Sequence, residues 1–296
     1  MSRGSFDVCV IGPVARDINA VGAREQPPQP GGAAYYSTMV YAALGLRAAV
    51  VTRVAAADEP ALLAELRARG VAIFNLSSAL STTFRNLYDP ADPDARRQRV
   101  DAVAPPIRAR DLPPLAARIW QIGPLTRQEG DVGLIAHCAA QGGLVGLDVQ
   151  GFTREVVDGA VQPAPPAATL APLAGLDVLK ADDAEILSFT GTAEVGAAAA
   201  KVQAAGVRET LVTYASRGST VFAPAGRIEI AALPPRRHLD PTGCGDTYLA
   251  AYLSRRLTSA DLRACAEFAA AVASLKLEHT GPFRGTPADL AARLES

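Results

Sequence analysis

The segment Asp240-Pro-Thr-Gly-Cys-Gly-Asp246 combines residue types that could bind an anion and move a proton. Gly243 and Gly245 permit a tight turn in which backbone N–H groups converge. The apolar run of small residues from Thr247 predicts a helix directly after that turn. Because the first N–H groups of a helix lack partners and its dipole is positive there, such a helix start attracts anions. The segment therefore predicts an anion site.

Asp246 is unexpected at a simple anion site, because its carboxylate would repel a phosphate group. An acid beside such a site is the arrangement expected of a general base that deprotonates a hydroxyl as it attacks a phosphoryl group. The alternative interpretation is that Asp246 only caps the helix, as aspartate often does. The segment by itself leaves both interpretations open.

Several other kinds of site have no support in the sequence. It contains no G-x-x-x-x-G-K-[ST] pattern, and no G-x-G-x-x-G follows its first predicted strand. The four cysteines are far apart and match no zinc-finger spacing. With 29 Lys+Arg against 30 Asp+Glu, the net charge of −1 argues against a nucleic-acid-binding protein. An apolar content of 49% excludes intrinsic disorder and supports a large core.

The elements that must position the turn alternate between strand and helix. The predicted strands are 6–11, 48–54, 71–76, 119–122, 144–149, 178–181 and 210–214, and the predicted helices are 33–44, 60–69, 128–141, 182–190 and 195–205. Two further strands, 220–222 and 227–231, are predicted to form an antiparallel edge, and the chain is helical from Gly245 onward. This alternation predicts an α/β fold with a mostly parallel sheet and helices on both faces.

The alternation breaks between about residues 80 and 110. Residues 82–88 and 96–103 have the composition of exposed strands, and the Pro/Asp-rich turn 89–94 joins them. The pattern predicts a hairpin outside the main sheet, with an ordinary surface loop as the alternative. A second irregular stretch, 158–172, is rich in Pro and Ala and is predicted to be a surface loop rather than a domain linker.

The sequence also bears on location. No signal-peptide pattern occurs at the N-terminus, and no apolar stretch approaches the ~20 residues needed to span a bilayer. Four scattered thiols fit a reducing compartment. We therefore expect a cytoplasmic protein with no membrane and no nucleic acid among its partners.

The segment 240–246 resembles the C-terminal signature of the ribokinase-like carbohydrate kinases, the PfkB family, whose pattern is roughly D-T-x-G-A-G-D. Here Pro241 replaces the first Thr and Cys244 replaces the Ala. The pair Gly31-Gly32 resembles the N-terminal Gly-Gly motif of that family. Gly12 and Asp17 resemble the end of its first strand and its sugar-binding aspartate.

Two other segments resemble family motifs with substitutions. Residues 180–185 resemble the N-x-x-E element, with Asp182 in place of Asn, and residues 213–218 resemble the nucleotide-binding T-x-G-x-x-G, with Ala215 in place of the first Gly. The resemblance covers essentially the whole chain. It implies one domain, 1–296, built as a three-layer α/β/α sandwich with a mostly parallel central sheet and a small β lid from about 13–30 and 80–104.

The resemblance also implies roles for the residues that would carry out phosphoryl transfer and bind the phosphoryl donor. Asp246 would be the general base, and the N–H groups of Gly243, Cys244 and Gly245 would hold the developing charge. Asp182 and Glu185 would orient Mg²⁺ through water, although a plain helix start would place the same carboxylates there. The predicted nucleotide-binding residues are Thr213, Ala215, Gly218 and Thr242. The expected cofactors are ATP and Mg²⁺, with a monovalent cation as a further candidate.

On the acceptor side the resemblance implies recognition of a hydroxyl-rich ring. The candidate contacts are Asp17, Gly31, Gly32, Arg85 and Asp148, of which Arg85 could equally be a surface charge of the lid. The stretch 148–154 resembles a D-x-Q-x-x-x-R pattern of inositol-kinase-like members, which favours a cyclic polyol. Tyr35 and Tyr36 stand where the family often has Asn, which argues against ribose.

Three alternatives remain from the sequence. Tyr35, Tyr36 and Phe84 could stack on a base, which would make the chain a nucleoside kinase. The departures at Asp182 and Ala215 leave room for a catalytically silent metabolite-binding protein of the same fold. Cys244 could be a reactive thiol at a helix start or a small residue that replaces Ala. The resemblance also implies a homodimer in which two lids pair, since an exposed strand pair would otherwise favour aggregation.

Overall fold

The computed structural model describes residues 4–21, 24–89 and 92–295, and strands alternate with helices along most of that length. The strands are β1 (Gly4–Ile11), β2 (Ala15–Val21), β3 (Arg24–Glu25), β4 (Gln29–Gly31), β5 (Ala48–Thr52), β6 (Ala72–Asn75), β7 (Thr83–Asp89), β8 (Asp92–Ala102), β9 (Leu115–Ile122), β10 (Leu144–Asp148), β11 (Arg154–Val157), β12 (Ala160–Pro163), β13 (Val178–Asp182), β14 (Glu209–Thr213), β15 (Ser219–Ala223) and β16 (Gly226–Ile230). The helices are α1 (Ala33–Ala43), α2 (Glu59–Leu62), α3 (Ala64–Ala68), α4 (Gly133–Gln141), α5 (Asp183–Thr190), α6 (Val195–Ala204), α7 (Cys244–Arg256), α8 (Leu262–Leu277) and α9 (Pro287–Leu294).

The main sheet has nine strands in the order β16-β15-β14-β13-β10-β9-β1-β5-β6. The pairs from β14 to β6 are parallel, whereas β15 and β16 form the predicted antiparallel edge. Strand β1 shows why helices must cover both faces. Val8 and Val10 pack into an apolar cluster with α1, α7 and α8, whereas Cys9 and Ile11 pack into a second cluster with α4 and α6. Alternate side chains of one strand thus enter two cores, as in a three-layer α/β/α sandwich.

A second sheet lies outside the main one, in the order β11-β12-β8-β7-β2-β3, with β4 paired to β2. The predicted hairpin is present as β7 and β8, so the surface-loop alternative is wrong. Its strands fall within the ranges predicted for the lid, and β2 joins β7 in a parallel pair. A lid motion and a lid-mediated homodimer stay predictions. Residues 90–91 of the predicted turn lie outside the described residues.

The second sheet also includes strands that the sequence analysis did not predict. The stretch 158–172 was expected to be a surface loop, but β12 lies within it and pairs with β11 and β8. Asp158 and Gly159 have φ angles of 51° and 77°, so they form a two-residue turn with both central residues left-handed. An Asp-Gly pair between two short strands is a strong hairpin signal, and it outweighs the Pro/Ala composition of this stretch.

Two predicted helices differ in their bounds. The helix predicted over 128–141 begins only at Gly133, because the Asp131 side chain accepts a hydrogen bond from the Gly133 N–H and holds the preceding residues in a turn. The helix predicted over 60–69 divides at Leu63 into α2 and α3. Among the described helices, none is both long and apolar enough to cross a bilayer.

The parallel strands bring one end of the main sheet to a shared edge. Strands β1, β10, β13 and β14 all end there, and the turn before α7 lies against the same edge. Strands β2 and β7 of the second sheet contribute side chains to the same cleft. Ligands of open α/β sheets bind beyond the carboxyl ends of the strands, so this edge is the expected place for a site.

Candidate active site

The turn before α7 depends on glycine at position 243. Gly243 has φ 75° and ψ 10°, a left-handed conformation, and it is the N-cap of the helix. A Cβ atom there would lie 2.3 Å from the ring of Tyr36. Both the backbone angle and the ring contact therefore require glycine. The predicted turn and helix are present, with the helix beginning at Cys244.

The anion site has fewer available donors than the sequence suggested. The Cys244 N–H donates to the Pro241 carbonyl at 3.1 Å, so it is not available to a ligand. Within the described ranges, the N–H groups of Gly243 and Gly245 have no protein acceptor. Two of the three predicted donors are thus free to bind an anion, and Cys244 is corrected to a position within the turn itself.

Asp246 lies in the first turn of α7, after the N-cap Gly243, and among the described residues its carboxylate forms no hydrogen bond to this helix start. Its half-buried carboxylate lines the cleft instead. Burial, together with the charges of Asp148 and Glu185 and opposed by Lys180, raises the pKa of Asp246 to about 7. A carboxylate with a pKa near neutrality and no structural partner has the properties of a general base.

Lys180, which the sequence analysis did not assign, lies at the centre of the site. Its side chain is buried, with Nζ 3.0 Å from Oδ2 of Asp148 and 3.8 Å from Oε2 of Glu185. A Cβ on Gly245 would lie 2.7 Å from the same nitrogen. Burial opposes its charge, but the surrounding carboxylates raise the pKa of Lys180, so it carries an ammonium group. One lysine in an otherwise apolar strand, Val178-Leu179-Lys180-Ala181, was the signal for it.

The predicted metal residues form the start of α5. Asp182 is the N-cap, and its side chain accepts from the Glu185 N–H at 2.6 Å, while Glu185 accepts from the Asp182 N–H at 2.9 Å. This capping box confirms that the helix-start interpretation holds for both residues. Both carboxylates also line the cleft. Burial disfavours the charge of Glu185, yet Lys180 and the Asp182 N–H hold the pKa of Glu185 below its usual value.

A magnesium ion fits this region only through water. In the described part of the chain, no group of three or more His, Cys, Asp or Glu side chains is arranged to hold a metal. Carboxylates nevertheless outnumber the basic side chains in this part of the cleft. Asp148, Asp182, Glu185 and Asp246 stand against Lys180 and Arg154. Mg²⁺ usually keeps several waters and binds few carboxylates together with substrate phosphates, which is what this donor set allows.

Polar side chains of the second sheet also line the cleft. Asp17 lines it from β2, and a Cβ on Gly31 would lie 2.1 Å from Oδ2 of Asp17, so Gly31 makes room for that carboxylate. Three amides form a row beside it: Gln98 donates to Asn86, and Asn86 donates to Asn19, both at 3.0 Å. The sequence analysis missed these amides.

The remaining predicted acceptor residues differ in their positions. Gly32 and Asp148 line the cleft, but Asp148 is buried and bound to Lys180. Arg85 does not reach the cleft, because Phe84 and Asn86 occupy the cleft face of β7 and Arg85 points to the other face. There it pairs with Asp101 and Glu25. Arg85 is therefore corrected to a surface charge of the second sheet.

The two adjacent tyrosines are packing residues. The Tyr35 hydroxyl donates to Glu65 at 2.5 Å, and the Tyr36 ring covers Gly243. The two rings contact each other edge to face, with centroids 5.4 Å apart. Both rings are thus engaged in packing at the edge of the cleft, whereas Phe84, the third aromatic candidate, lines the cleft from β7 and keeps the nucleoside alternative open.

All four predicted nucleotide residues line the cleft: Thr213, Ala215, Gly218 and Thr242. Ala215 has φ 51°, the left-handed conformation that the related motif assigns to glycine. An apolar wall continues from there through Leu233, Pro234, Leu239, Ala273 and Leu277. The whole cleft encloses about 1690 Å³, more than the ~300–1,000 Å³ typical of a single-ligand pocket, so it has room for two ligands.

Cys244 does not have the features of a reactive thiol. Burial raises the pKa of Cys244, and the sulfur lies 3.9 Å from the Ala273 carbonyl. The interpretation of Cys244 as a small residue that fits between α7 and α8 is the one that agrees with the geometry.

Comparison with known families agrees with this arrangement. A family profile for the "pfkB family carbohydrate kinase" matches residues 134–289, more than half of the chain. The chain belongs to this family. The matched region contains the end of β10, the capping box of α5, the loop after β14 and the whole of α7. The resemblance of segment 240–246 to the PfkB signature is thereby confirmed.

Solved structures of PfkB-type kinases extend the likeness to the whole chain. A pyrophosphate-dependent kinase in the ribokinase family, solved with sulfate, is 28% identical at a TM-score of 0.85, over 96% of this chain and 99% of that one. The same kind of kinase, solved with a pyrophosphate analog and myo-inositol, is 27% identical at a TM-score of 0.84 over the same shares. Arabidopsis thaliana ribokinase, solved with ribose and ATP, shares the fold at a TM-score of 0.78 and 20% identity, covering 99% of each chain. The predicted ribokinase-like fold is confirmed.

Curated relatives match over shorter segments. A ribokinase of Arabidopsis thaliana is 31% identical over 121 residues, which are 39% of this chain and 32% of that protein. A nucleoside kinase of Methanothermobacter thermautotrophicus is 41% identical over 75 residues, which are 25% of this chain and 24% of that protein. The matches thus span about a quarter to a third of the length of these relatives.

Proposed function

We propose that this PfkB-family chain transfers a phosphoryl group to a hydroxyl of a cyclic polyol of the inositol type. The observation that carries the proposal is the position of Asp246. Its carboxylate makes no capping hydrogen bond, lies beside the free N–H groups of Gly243 and Gly245, and opens into a cleft with room for two ligands.

In the proposed reaction, Asp246 accepts the proton of the acceptor hydroxyl as its oxygen attacks the terminal phosphorus of the donor. The bond from that phosphorus to the bridging oxygen breaks, and the leaving phosphate departs with the electron pair. The N–H groups of Gly243 and Gly245, with the Lys180 ammonium beneath them, stabilise the charge on the transferred group. The proton stays on Asp246 until the product leaves.

The metal would be held beside the turn by Asp182 and Glu185 through water. Mg²⁺ supplies neutralisation of the donor phosphates when it is bound. The excess of carboxylates over cations supports this placement, since an added divalent cation would balance the local charge.

An inositol-type acceptor is supported by the second sheet. Asp17 and the amide row Asn19, Asn86 and Gln98 provide acceptors and donors suited to several ring hydroxyls. The full-length neighbour that carries myo-inositol is 27% identical to this chain. A nucleoside acceptor would need an aromatic face. The Tyr35 and Tyr36 rings are engaged in packing, and Phe84 is the aromatic candidate that would serve this alternative.

Two phosphoryl donors each have an observation in their favour. ATP is favoured by the motif at Thr213–Gly218 and by the apolar wall beyond it, which suits a base. Pyrophosphate is the second candidate, because three neighbours that are 26–28% identical over nearly the whole chain are pyrophosphate-dependent kinases. Either donor places its terminal phosphate at the same turn.

The test is a matrix of acceptors and donors with Mg²⁺, read by ³¹P NMR. The acceptors are myo-inositol, fructose, ribose, adenosine and cytidine, and the donors are ATP and pyrophosphate. We expect a phosphomonoester of inositol, with a kcat/KM at least about tenfold above that of any nucleoside. A nucleoside with the higher value would overturn the substrate class. Saturable binding of inositol with no product from any pair would instead indicate a silent binding protein.

A further inference from the structure

A second buried lysine lies behind the turn. Lys276, in the last turn of α8, has a side chain with 0% exposure. Its Nζ donates to the Asp240 backbone carbonyl at 2.6 Å and lies 3.4 Å from Oδ2 of the same residue. The Tyr36 ring covers it, with the centroid at 5.8 Å. The Lys276 amine is thus enclosed behind the first residue of the segment 240–246.

Asp240 connects this lysine to the anion site. One oxygen of its carboxylate accepts from the Thr242 N–H at 2.9 Å, and the other accepts from the Gly281 N–H at 3.0 Å. These bonds fix the approach to Gly243 from one side and the loop after α8 from the other. A carbonyl and a carboxylate oxygen that converge on one point are also the kind of ligands that a hard cation takes.

We propose that the Lys276 ammonium is a built-in cation of the site, occupying at Asp240 the place of a dissociable monovalent cation. The sequence analysis named such an ion as a candidate cofactor. A monovalent cation does not fit at Asp240, because the Lys276 Nζ already contacts the backbone carbonyl oxygen and Oδ2 of that residue. The chain therefore works without added K⁺ or Na⁺. The kinetic part of this inference rests on the proposed function, whereas the binding part does not.

Carboxylates, a thiol and an aromatic ring surround the Lys276 amine. Asp240, Asp246, Cys244 and the Tyr36 ring are the groups that face it from α7, α1 and the turn. Burial lowers the pKa of Lys276, and Asp240 opposes that effect. Burial likewise disfavours the charge of Asp240, yet its hydrogen bond from Thr242 and the nearby ammonium hold the pKa of Asp240 below its ordinary value. The Lys276 Nζ lies 3.4 Å from Oδ2 of Asp240, within the distance of an ion pair.

The first arm of the test uses the unaltered protein. Thermal unfolding and turnover are measured in KCl, NaCl and choline chloride at equal ionic strength. We expect the melting temperatures to agree and the turnover to vary by less than about twofold. Saturable stabilisation or activation by K⁺ or Na⁺ over choline would overturn the proposal. If no acceptor gives product, the proposed function fails, and the melting measurement still decides on the cation.

The second arm removes the charge. Lys276→Ala should lower the melting temperature and reduce turnover by at least about tenfold, because a buried carboxylate loses its partner. K⁺ or NH₄⁺, but not choline, should then restore both in a saturable way. Wild-type behaviour of the variant, or a loss that no cation restores, would contradict the role. Lys276→Met serves as a second variant if the alanine variant does not fold.

Lys201→Ala is the matched control. The Lys201 Nζ also donates to a backbone carbonyl at 2.6 Å, that of Thr190, but it lies on α6 away from the cleft. This variant should lose stability to a similar or smaller degree, keep its turnover, and respond equally to K⁺ and choline.

Discussion

Lys180 and Gly245 are so close that a Cβ on the glycine would come 2.7 Å from the lysine ammonium. Lys180 extends from the middle of β13, and Gly245 belongs to the first turn of α7. These two residues are 65 positions apart in the sequence. Their proximity joins the carboxylates of Asp148 and Glu185, which surround Lys180, to the turn before α7. A phosphoryl group at that turn would meet N–H groups and an ammonium group together.

Replacement of Asp246 tests the general base. Asp246→Asn should lower kcat by about 10²–10⁴-fold, because the amide cannot accept the hydroxyl proton. The affinity for the phosphoryl donor should change little, as measured by calorimetry. Turnover close to that of the unaltered protein would refute the role.

Asp261→Ala is the control for helix capping. The Asp261 side chain accepts from the N–H groups of Arg263 and Ala264 at the start of α8, far from the cleft. Its removal should cost about 1 kcal/mol of the free energy of unfolding and leave kcat unchanged. The two variants therefore separate a capping aspartate from a catalytic one.

The pH dependence of kcat/KM should report the ionisation of Asp246. Burial raises the pKa of Asp246 to about 7, and only the ionised form accepts a proton, so activity should fall as the pH drops through that value. Lys180 lowers the pKa of Asp246, so Lys180→Met should move the acidic limb to higher pH. Lys201→Met should leave the limb in place. An acidic limb near pH 4, typical of an exposed aspartate, would contradict the assignment.

Gly243→Ala and Gly45→Ala form a matched pair for the turn. Both glycines have φ between 75° and 79°, so each substitution costs about 1–2 kcal/mol in backbone strain. A Cβ at position 243 also meets the Tyr36 ring, whereas nothing lies within 4 Å at position 45. Gly243→Ala should therefore lose about 1–3 kcal/mol more in denaturant unfolding, together with most of the activity. Equal losses in stability would show that the ring contact does not matter.

Asp17 should affect the acceptor and not the donor. Asp17→Asn should raise KM for the polyol by about 10- to 100-fold, the value of one or two hydrogen bonds to a charged group. The KM for the donor should stay the same. Arg85→Ala provides the comparison, since Arg85 pairs with Asp101 and Glu25 on the other face of the strand. If both variants raise the polyol KM equally, the cleft face has been assigned wrongly.

Features encoded within a short segment could be predicted from the sequence. The turn at Gly243, the helix after it and the hairpin of β7 and β8 all depend on neighbouring residues, and all three are present. The order of motifs along the chain likewise predicted the family and its fold, both confirmed by comparison.

Contacts between distant strands could not be predicted in this way. The amide row of Asn19, Asn86 and Gln98 exists because β2 pairs with β7 and β7 with β8, and no local pattern specifies the first of these pairings. For a related reason the sequence leaves Arg85 open between a cleft contact and a surface charge. In β7 the apolar side chains Phe84 and Leu87 do not alternate consistently, so the sequence does not tell which face meets the cleft.

The distribution of lysine has a practical consequence for chemical labelling. The chain contains three lysines, and Lys180 and Lys276 are enclosed around the cleft, so only the exposed Lys201 offers its amine to solvent. An amine-reactive dye or surface linker should thus modify one lysine per folded chain and leave the cleft untouched. Reaction at Lys180 or Lys276 would then serve as a chemical readout of local opening around α7 and α8.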